Sequence, residues 1–145
     1  MKVLVINGPN INLLGVREPE LYGSGSFDNL VKFINESAAS LGIEPMFFQS
    51  NCEGAIIDAI QNAMGDVDAI VINPAAYTHT SIAIADALKA VGLPAVEVHL
   101  TDIKTREPYR RISYTSEACI KTICGMGFDG YRLALITLLE SVKQK

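Results

Sequence analysis

Arg17 and Tyr22 stand five residues apart in the segment G-P-N-I-N-L-L-G-V-R-E-P-E-L-Y-G, Gly8 to Gly23. A guanidinium beside a phenol favours the phenolate, and a phenolate at neutral pH is a base. A free tyrosine titrates near pH 10, so half-ionisation at pH 7 requires a shift of about 3 units, roughly 4 kcal/mol. One close arginine supplies about 1–3 units, which makes Arg17 alone marginal. A closed, water-poor site would strengthen its contribution while also disfavouring the bare phenolate. Each residue also has a plainer use: Arg17 can pair with Glu18 or Glu20 at the surface, and Tyr22 can pack its loop onto the body.

A second pair is Glu97 and His99 in V-E-V-H. Two residues apart on a strand, they share one face. A neighbouring carboxylate holds an imidazole charged or orients it, which is what a proton donor needs. His79 opens a helical pattern in N-P-A-A-Y-T-H-T, and Asp86 seven residues on shares its face. That pair serves equally well as an N-terminal polar contact or as ligand-binding groups. Arg106, Arg110 and Arg111 form a basic cluster, either a solvated loop or an anion site. Arg110 can fork a carboxylate where Lys104 cannot. Asn10, Asn12 and Asn73 are ordinary turn residues or polar contacts. The turn Asn73-Pro74-Ala75-Ala76 can aim backbone N–H groups at an anion. Together these groups suit removal of a proton next to a carbonyl, with acid-assisted departure of a hydroxyl. That reaction is a dehydration.

The elements that must position these groups alternate along the chain. Strands are expected at Lys2–Asn7, Ile43–Gln49, Ala69–Asn73, Ala95–His99 and Cys119–Cys124. Helices are expected at Phe27–Leu41, Glu53–Met64, Thr80–Val91 and Phe128–Lys143, with Ser26 as an N-cap and Gly42 as a terminator. The uninterrupted apolar run Ala69–Asn73 suggests a strand covered on both faces, and Lys121 suggests an edge strand. A polar, Arg-rich loop fills Leu100 to Ser116. Repeated βα units imply one α/β domain spanning residues 1–145, a flavodoxin-like doubly wound sheet of five parallel strands. In the order 2-1-3-4-5 the chemistry should come from the loops after strands one, three and four.

Composition narrows the function further. The chain has 145 residues and a formal charge of −4, so a nucleic-acid footprint is not indicated. The segment after the first strand lacks G-x-G-x-x-G and G-x-x-x-x-G-K-[ST]. Cys52, Cys119 and Cys124 cannot close a disulfide set, no C-x-x-C is present, and no metal or cofactor is called for. Free thiols suit a reducing compartment, the cytoplasm. Met1 to Ile6 is too short for a signal-peptide core or a membrane span. A flavin carrier of the same fold would need a Ser/Thr-rich phosphate loop at Gly8–Leu14. A receiver domain would need acidic residues where Asn7, Gly8 and Asn73 stand.

Six blocks carry a family resemblance: the Gly8–Gly23 segment, Q-S-N-C-E-G from Gln49, I-N-P-A-A-Y-T-H-T-S from Ile72, V-E-V-H-L-T from Val96, R-E-P-Y-R from Arg106 and G-M-G-F-D-G-Y-R-L-A-L from Gly125. In order and over essentially the whole chain, they resemble type II 3-dehydroquinate dehydratase. The resemblance implies conversion of 3-dehydroquinate, a small anion, to 3-dehydroshikimate and water, in the shikimate route or in quinate breakdown, without a cofactor. It implies Tyr22 as the base at C2, Arg17 as the group lowering its pKa, and His99 as proton donor to the C1 hydroxyl, oriented by Glu97. Asn10 would help hold the enolate through a water. Asn73, His79, Arg110 and the backbone of Leu100 and Thr101 would grip the substrate. The resemblance also implies a homo-oligomer, a dodecamer built from trimers, in which Asp86 reaches a neighbouring subunit's site. Three positions depart from the usual family residues: Ala75 replaces Gly, Thr101-Asp102 replaces Ser-Asn, and Ala85 replaces Arg. Asp102 would weaken substrate binding if it pointed inward.

Overall fold

The structure, a computed structural model, describes residues 1–16 and 25–144. Five parallel strands, β1 (Lys2–Asn7), β2 (Glu44–Gln49), β3 (Ala69–Asn73), β4 (Ala95–His99) and β5 (Lys121–Cys124), lie in the order β2-β1-β3-β4-β5. This is the doubly wound, flavodoxin-like order expected from the sequence. The helices are α1 (Phe27–Ser40), α2 (Glu53–Asn62), α3 (Ile82–Val91) and α4 (Asp129–Lys143).

Side-chain alternation along the strands divides the core into two layers. Val3, Val5, Ala69, Val71, Val96 and Val98 pack against α1 and α4. Leu4, Ile6, Ile70, Ile72 and Ala95 pack against α2 and α3. A strand covered on both faces must be apolar throughout, and β3 is buried along its whole length. At the sheet's end β5 carries an exposed Lys121, as an edge strand does. Among the described residues no helix is long and apolar enough to cross a membrane.

Ser26 caps α1 by accepting the Asn29 N–H at 3.1 Å, and Gly42, at φ +67, turns the chain away after it. Several ends fall inside the expected bounds. Helix α3 starts at Ile82 and not Thr80, because Ser81 accepts the Ile84 N–H at 3.0 Å and becomes the cap. The residues before it, Ala75–His79, form a separate 3-10 turn. Strand β5 starts at Lys121 and not Cys119, because Thr115–Ala118 coils into another 3-10 turn before the ladder begins. Helix α2 stops at Asn62, short of Met64, with Gly65 at φ +81 just beyond. The other differences are single residues at element ends.

The loops after β1 and β3 touch at the switch point between these two strands. Gly8 donates its N–H to the Asn73 carbonyl at 2.8 Å. A Cβ on Gly8 would come within 2.5 Å of the Pro74 carbonyl oxygen, so no larger residue allows this approach.

Candidate active site

A cleft of about 260 Å³ opens at the carboxyl ends of β1, β3 and β4. Asn10, Asn73, His79, His99, Leu100, Thr101 and Arg110 all line it, so seven expected site residues from four segments meet there. Ile11, Leu13, Leu14 and Ile103 supply apolar wall. Arg17 and Tyr22 lie outside the described residues.

His99 ends β4 and borders the cleft, while Glu97 lies behind it, fully buried. Glu97 Oε1 is in direct hydrogen-bond contact with His99 Nε2. An isolated buried carboxylate is costly, and this one is surrounded by hydroxyls. Thr78 Oγ1 lies 2.8 Å from Oε1, Thr115 Oγ1 lies 2.7 Å from Oε2, and Ser113 Oγ spans both oxygens at 2.8 and 3.0 Å. Burial pushes the Glu97 carboxyl up. The hydrogen bond and charge of His99, with the Thr115 and Ser113 hydroxyls, outweigh it and hold the group below the ordinary glutamate value. An ionised carboxylate only accepts, so His99 Nε2 carries a proton and Nδ1 is the nitrogen left for other work.

His79 is the last residue of the 3-10 turn, ahead of α3 and not within it. Its Nδ1 donates to the Ile112 carbonyl at 2.7 Å. Burial lowers its pKa, and the charges of His99 and Arg110 add to that effect, while the Ile112 contact opposes it. A neutral ring that donates from Nδ1 presents an acceptor lone pair at Nε2. Asp86 sits on an exposed face of α3 and does not line the cleft within this chain. The expected shared helical face of His79 and Asp86 is therefore absent, because the helix begins after His79.

On the opposite face of the sheet, the buried Tyr131 of α4 donates its hydroxyl to Asn7 Oδ1 at 2.6 Å and accepts from Asn73 Nδ2 at 3.0 Å. Asn73 Oδ1 accepts the Ala75 N–H at 3.1 Å. Ala75 is held at φ 54, in the left-handed region that disfavours a side chain. Asn10 is also left-handed, at φ 68, and donates its N–H to Asn51 Oδ1 at 3.1 Å. Asparagine tolerates this conformation better than alanine does.

Arg110 borders the cleft from the 3-10 turn Pro108–Arg110. Its Nε lies 3.3 Å from Glu107 Oε2, within ion-pair range but off the angle of a hydrogen bond. Among the described residues that buried N–H therefore has no hydrogen-bond partner. Arg106 lines the cleft as well, so two arginines border one space. Asp102 does not line it. Its Oδ1 accepts the Lys104 N–H at 3.0 Å and caps the turn Ile103–Thr105. Asp102 thus points its carboxylate away from the cleft. Among the described residues no three of His, Cys, Asp and Glu stand together as a metal site.

Thr78, Ser113 and Thr115 were not legible as site residues, because no periodicity links them to Glu97. The available signal was indirect: a glutamate inside a buried strand must find donors somewhere.

Residues 1–139 match the family model described as Dehydroquinase class II. The chain is 56% identical to the 3-dehydroquinate dehydratase of Clostridium acetobutylicum, over the full length of both. It is 52% identical to the enzyme of that name from Geotalea daltonii, covering 99% of this chain and 100% of the relative. The crystal structure of type II dehydroquinase from Butyrivibrio crossotus superposes with a TM-score of 0.93 at 50% identity, covering 95% of this chain and 97% of that one. The type II dehydroquinase from Propionibacterium acnes gives 0.92 at 41% identity, covering 96% of each chain.

Proposed function

The chain belongs to the class II dehydroquinase family, and from that premise we infer that its cleft removes water from 3-dehydroquinate to give 3-dehydroshikimate. The observation that supports this reading most is the pairing of a buried, ionised carboxylate with an imidazole at the cleft wall.

The sequence of events we assign is as follows. Tyr22, as phenolate beside Arg17, takes the C2 proton, and the electron pair passes to the C3 carbonyl oxygen as an enolate. When the carbonyl re-forms, the pair makes the C1–C2 double bond and expels the C1 hydroxyl. His99 donates a proton to that hydroxyl, which leaves as water, and Glu97 stabilises the imidazolium from which the proton comes. Asn10 helps hold the enolate through a water. Arg110, which borders the cleft, forks the substrate carboxylate. His79 accepts from a substrate hydroxyl through Nε2, and Asn73 with the backbone of Leu100 and Thr101 completes the grip. Asp86, outside the cleft of its own chain, serves that of a neighbouring subunit in a trimer, four of which make a dodecamer. The enzyme works in the cytoplasm, where Cys52, Cys119 and Cys124 stay reduced.

Mixing the protein with 3-dehydroquinate should raise the ultraviolet absorbance of the conjugated enone. Folded Tyr22→Phe protein should raise none. A wild-type protein that leaves the substrate unchanged defeats the reading, and turnover by Tyr22→Phe moves the base elsewhere.

A further inference from the structure

The hydroxyl groups around Glu97 do more than satisfy a buried charge. Thr78 and Thr115 are themselves fully buried, and their oxygens lie 2.8 Å apart. Each hydroxyl has one proton, and only one proton fits between two oxygens at that distance. With the Thr115 proton on Glu97 Oε2, the Thr78 proton lies within reach of both Oε1, 2.8 Å away, and Thr115 Oγ1. The two threonines thus brace each other and the two carboxylate oxygens. Ser113 is fixed as well, since its Oγ accepts the Ser116 N–H at 3.0 Å and its own proton turns to the carboxylate. Hydroxyl donors therefore approach both carboxylate oxygens from the loop between β4 and β5, and Oε1 keeps its contact with His99 Nε2.

We propose that Thr115, backed by Thr78 and Ser113, is a positioning residue for the proton transfer. Its hydroxyl holds Glu97 in the one orientation and charge state in which His99 keeps a proton on Nε2 and donates from Nδ1. This proposal rests on the dehydratase reading for its kinetic consequence but not for its structural one. The titratable groups whose charges act on or with Glu97 are His99 on the same strand, His79 ahead of α3, Cys119 before β5 and Cys124 on it. Burial, with the Glu97 charge second, pushes the Cys119 thiol up to about 12 and raises Cys124 too, so both stay neutral in the working range. Glu97 is thus the group of this network expected to lose its charge in acid, well below the pH at which the Tyr22 phenolate is protonated.

The test compares Thr115→Val, which keeps shape and loses the donor, with Thr115→Ser, which keeps the donor. Thr115→Val should lower kcat about tenfold at neutral pH, with KM near wild type. Thr115→Ser should restore kcat. A Thr115→Val enzyme with wild-type kcat overturns the proposal, as does Thr115→Ser failing equally. Should Thr115→Val not fold, Ser113→Ala carries the same expectation. A readout independent of turnover comes from nitrogen-15 spectra, since the chain has only two histidines. The pH at which the His99 Nε2–H signal reports protonation of its partner should rise by about one unit in Thr115→Val. No change there overturns the proposal even if the protein proves inactive toward 3-dehydroquinate, an outcome that would by itself defeat only the dehydratase reading.

Discussion

Two buried polar networks flank the carboxyl end of the sheet, one on each face, and they differ in kind. On the α2/α3 face, Glu97, His99 and three hydroxyls form a charged network. On the α1/α4 face, Tyr131 joins Asn7 to Asn73 with no charge at all, and burial pushes its phenol pKa further up, so it stays neutral. A charged buried network is costly and responds to pH, which is useful where a proton must move. A neutral one holds geometry at every pH, which is useful where the backbone must be fixed. Here the neutral network orients Asn73 and, through it, the left-handed Ala75 on the cleft wall. The cleft thus has one charged wall that responds to pH and one neutral wall that holds shape.

The sharpest way to break this contrast is Glu97→Gln. The amide has the shape of the carboxylate without the charge that stabilises an imidazolium. It should lower kcat by roughly 100-fold or more while the protein stays folded. Near-normal turnover would remove the charged wall from the mechanism. Tyr131→Phe tests the other wall. It strips a donor from Asn7 and an acceptor from Asn73, both buried, and should cost about 1–3 kcal/mol in denaturant unfolding. The loss should be the same at every pH from neutrality downward, and KM should rise more than kcat falls. A Tyr131→Phe defect that grows in acid would contradict the division.

The pH dependence of stability separates the two walls without kinetics. The folded Glu97 carboxyl titrates below its ordinary value of 4.5. Its contribution to stability is therefore complete above that value and is lost as pH falls through the lower, folded one. Wild-type unfolding free energy should decline in this acid window more steeply than that of Glu97→Gln. Parallel curves would mean that the carboxylate is not held ionised by folding. The smallest expected effect is Ala75→Gly. Relief of an alanine at φ 54 should stabilise the fold by about 1 kcal/mol and leave the acid decline in unfolding free energy unchanged. A destabilised variant would show that the Asn73 contact does not hold Ala75 in strain.

The sequence made the fold and much of the cleft readable for local reasons. Apolar runs between helical patterns dictated the alternation of strands and helices. Glu97 and His99 share a face because strand residues two apart must. Element ends were read less well, since the 3-10 turns at Ala75–His79 and Thr115–Ala118 depend on caps and backbone contacts that carry little sequence signal. His79 for this reason ends a 3-10 turn and does not open the helix that its pattern suggests. The position of Asp102 could not be read because a carboxylate at a turn can either cap it or face a ligand, and only the Lys104 contact decides between these.

Apolar runs alternating with helical patterns along the chain determined by themselves that a parallel sheet forms and that its strand ends carry Asn73, Glu97 and His99. Only the tertiary structure decided that Thr78, Ser113 and Thr115 close around one carboxylate and that Tyr131 ties two strands together. The physical reason is distance along the chain. Periodicity reports which way a side chain points within its own element, whereas the partner of a buried polar group is set by which elements the core packs together, and Tyr131 meets Asn7 from 124 residues away.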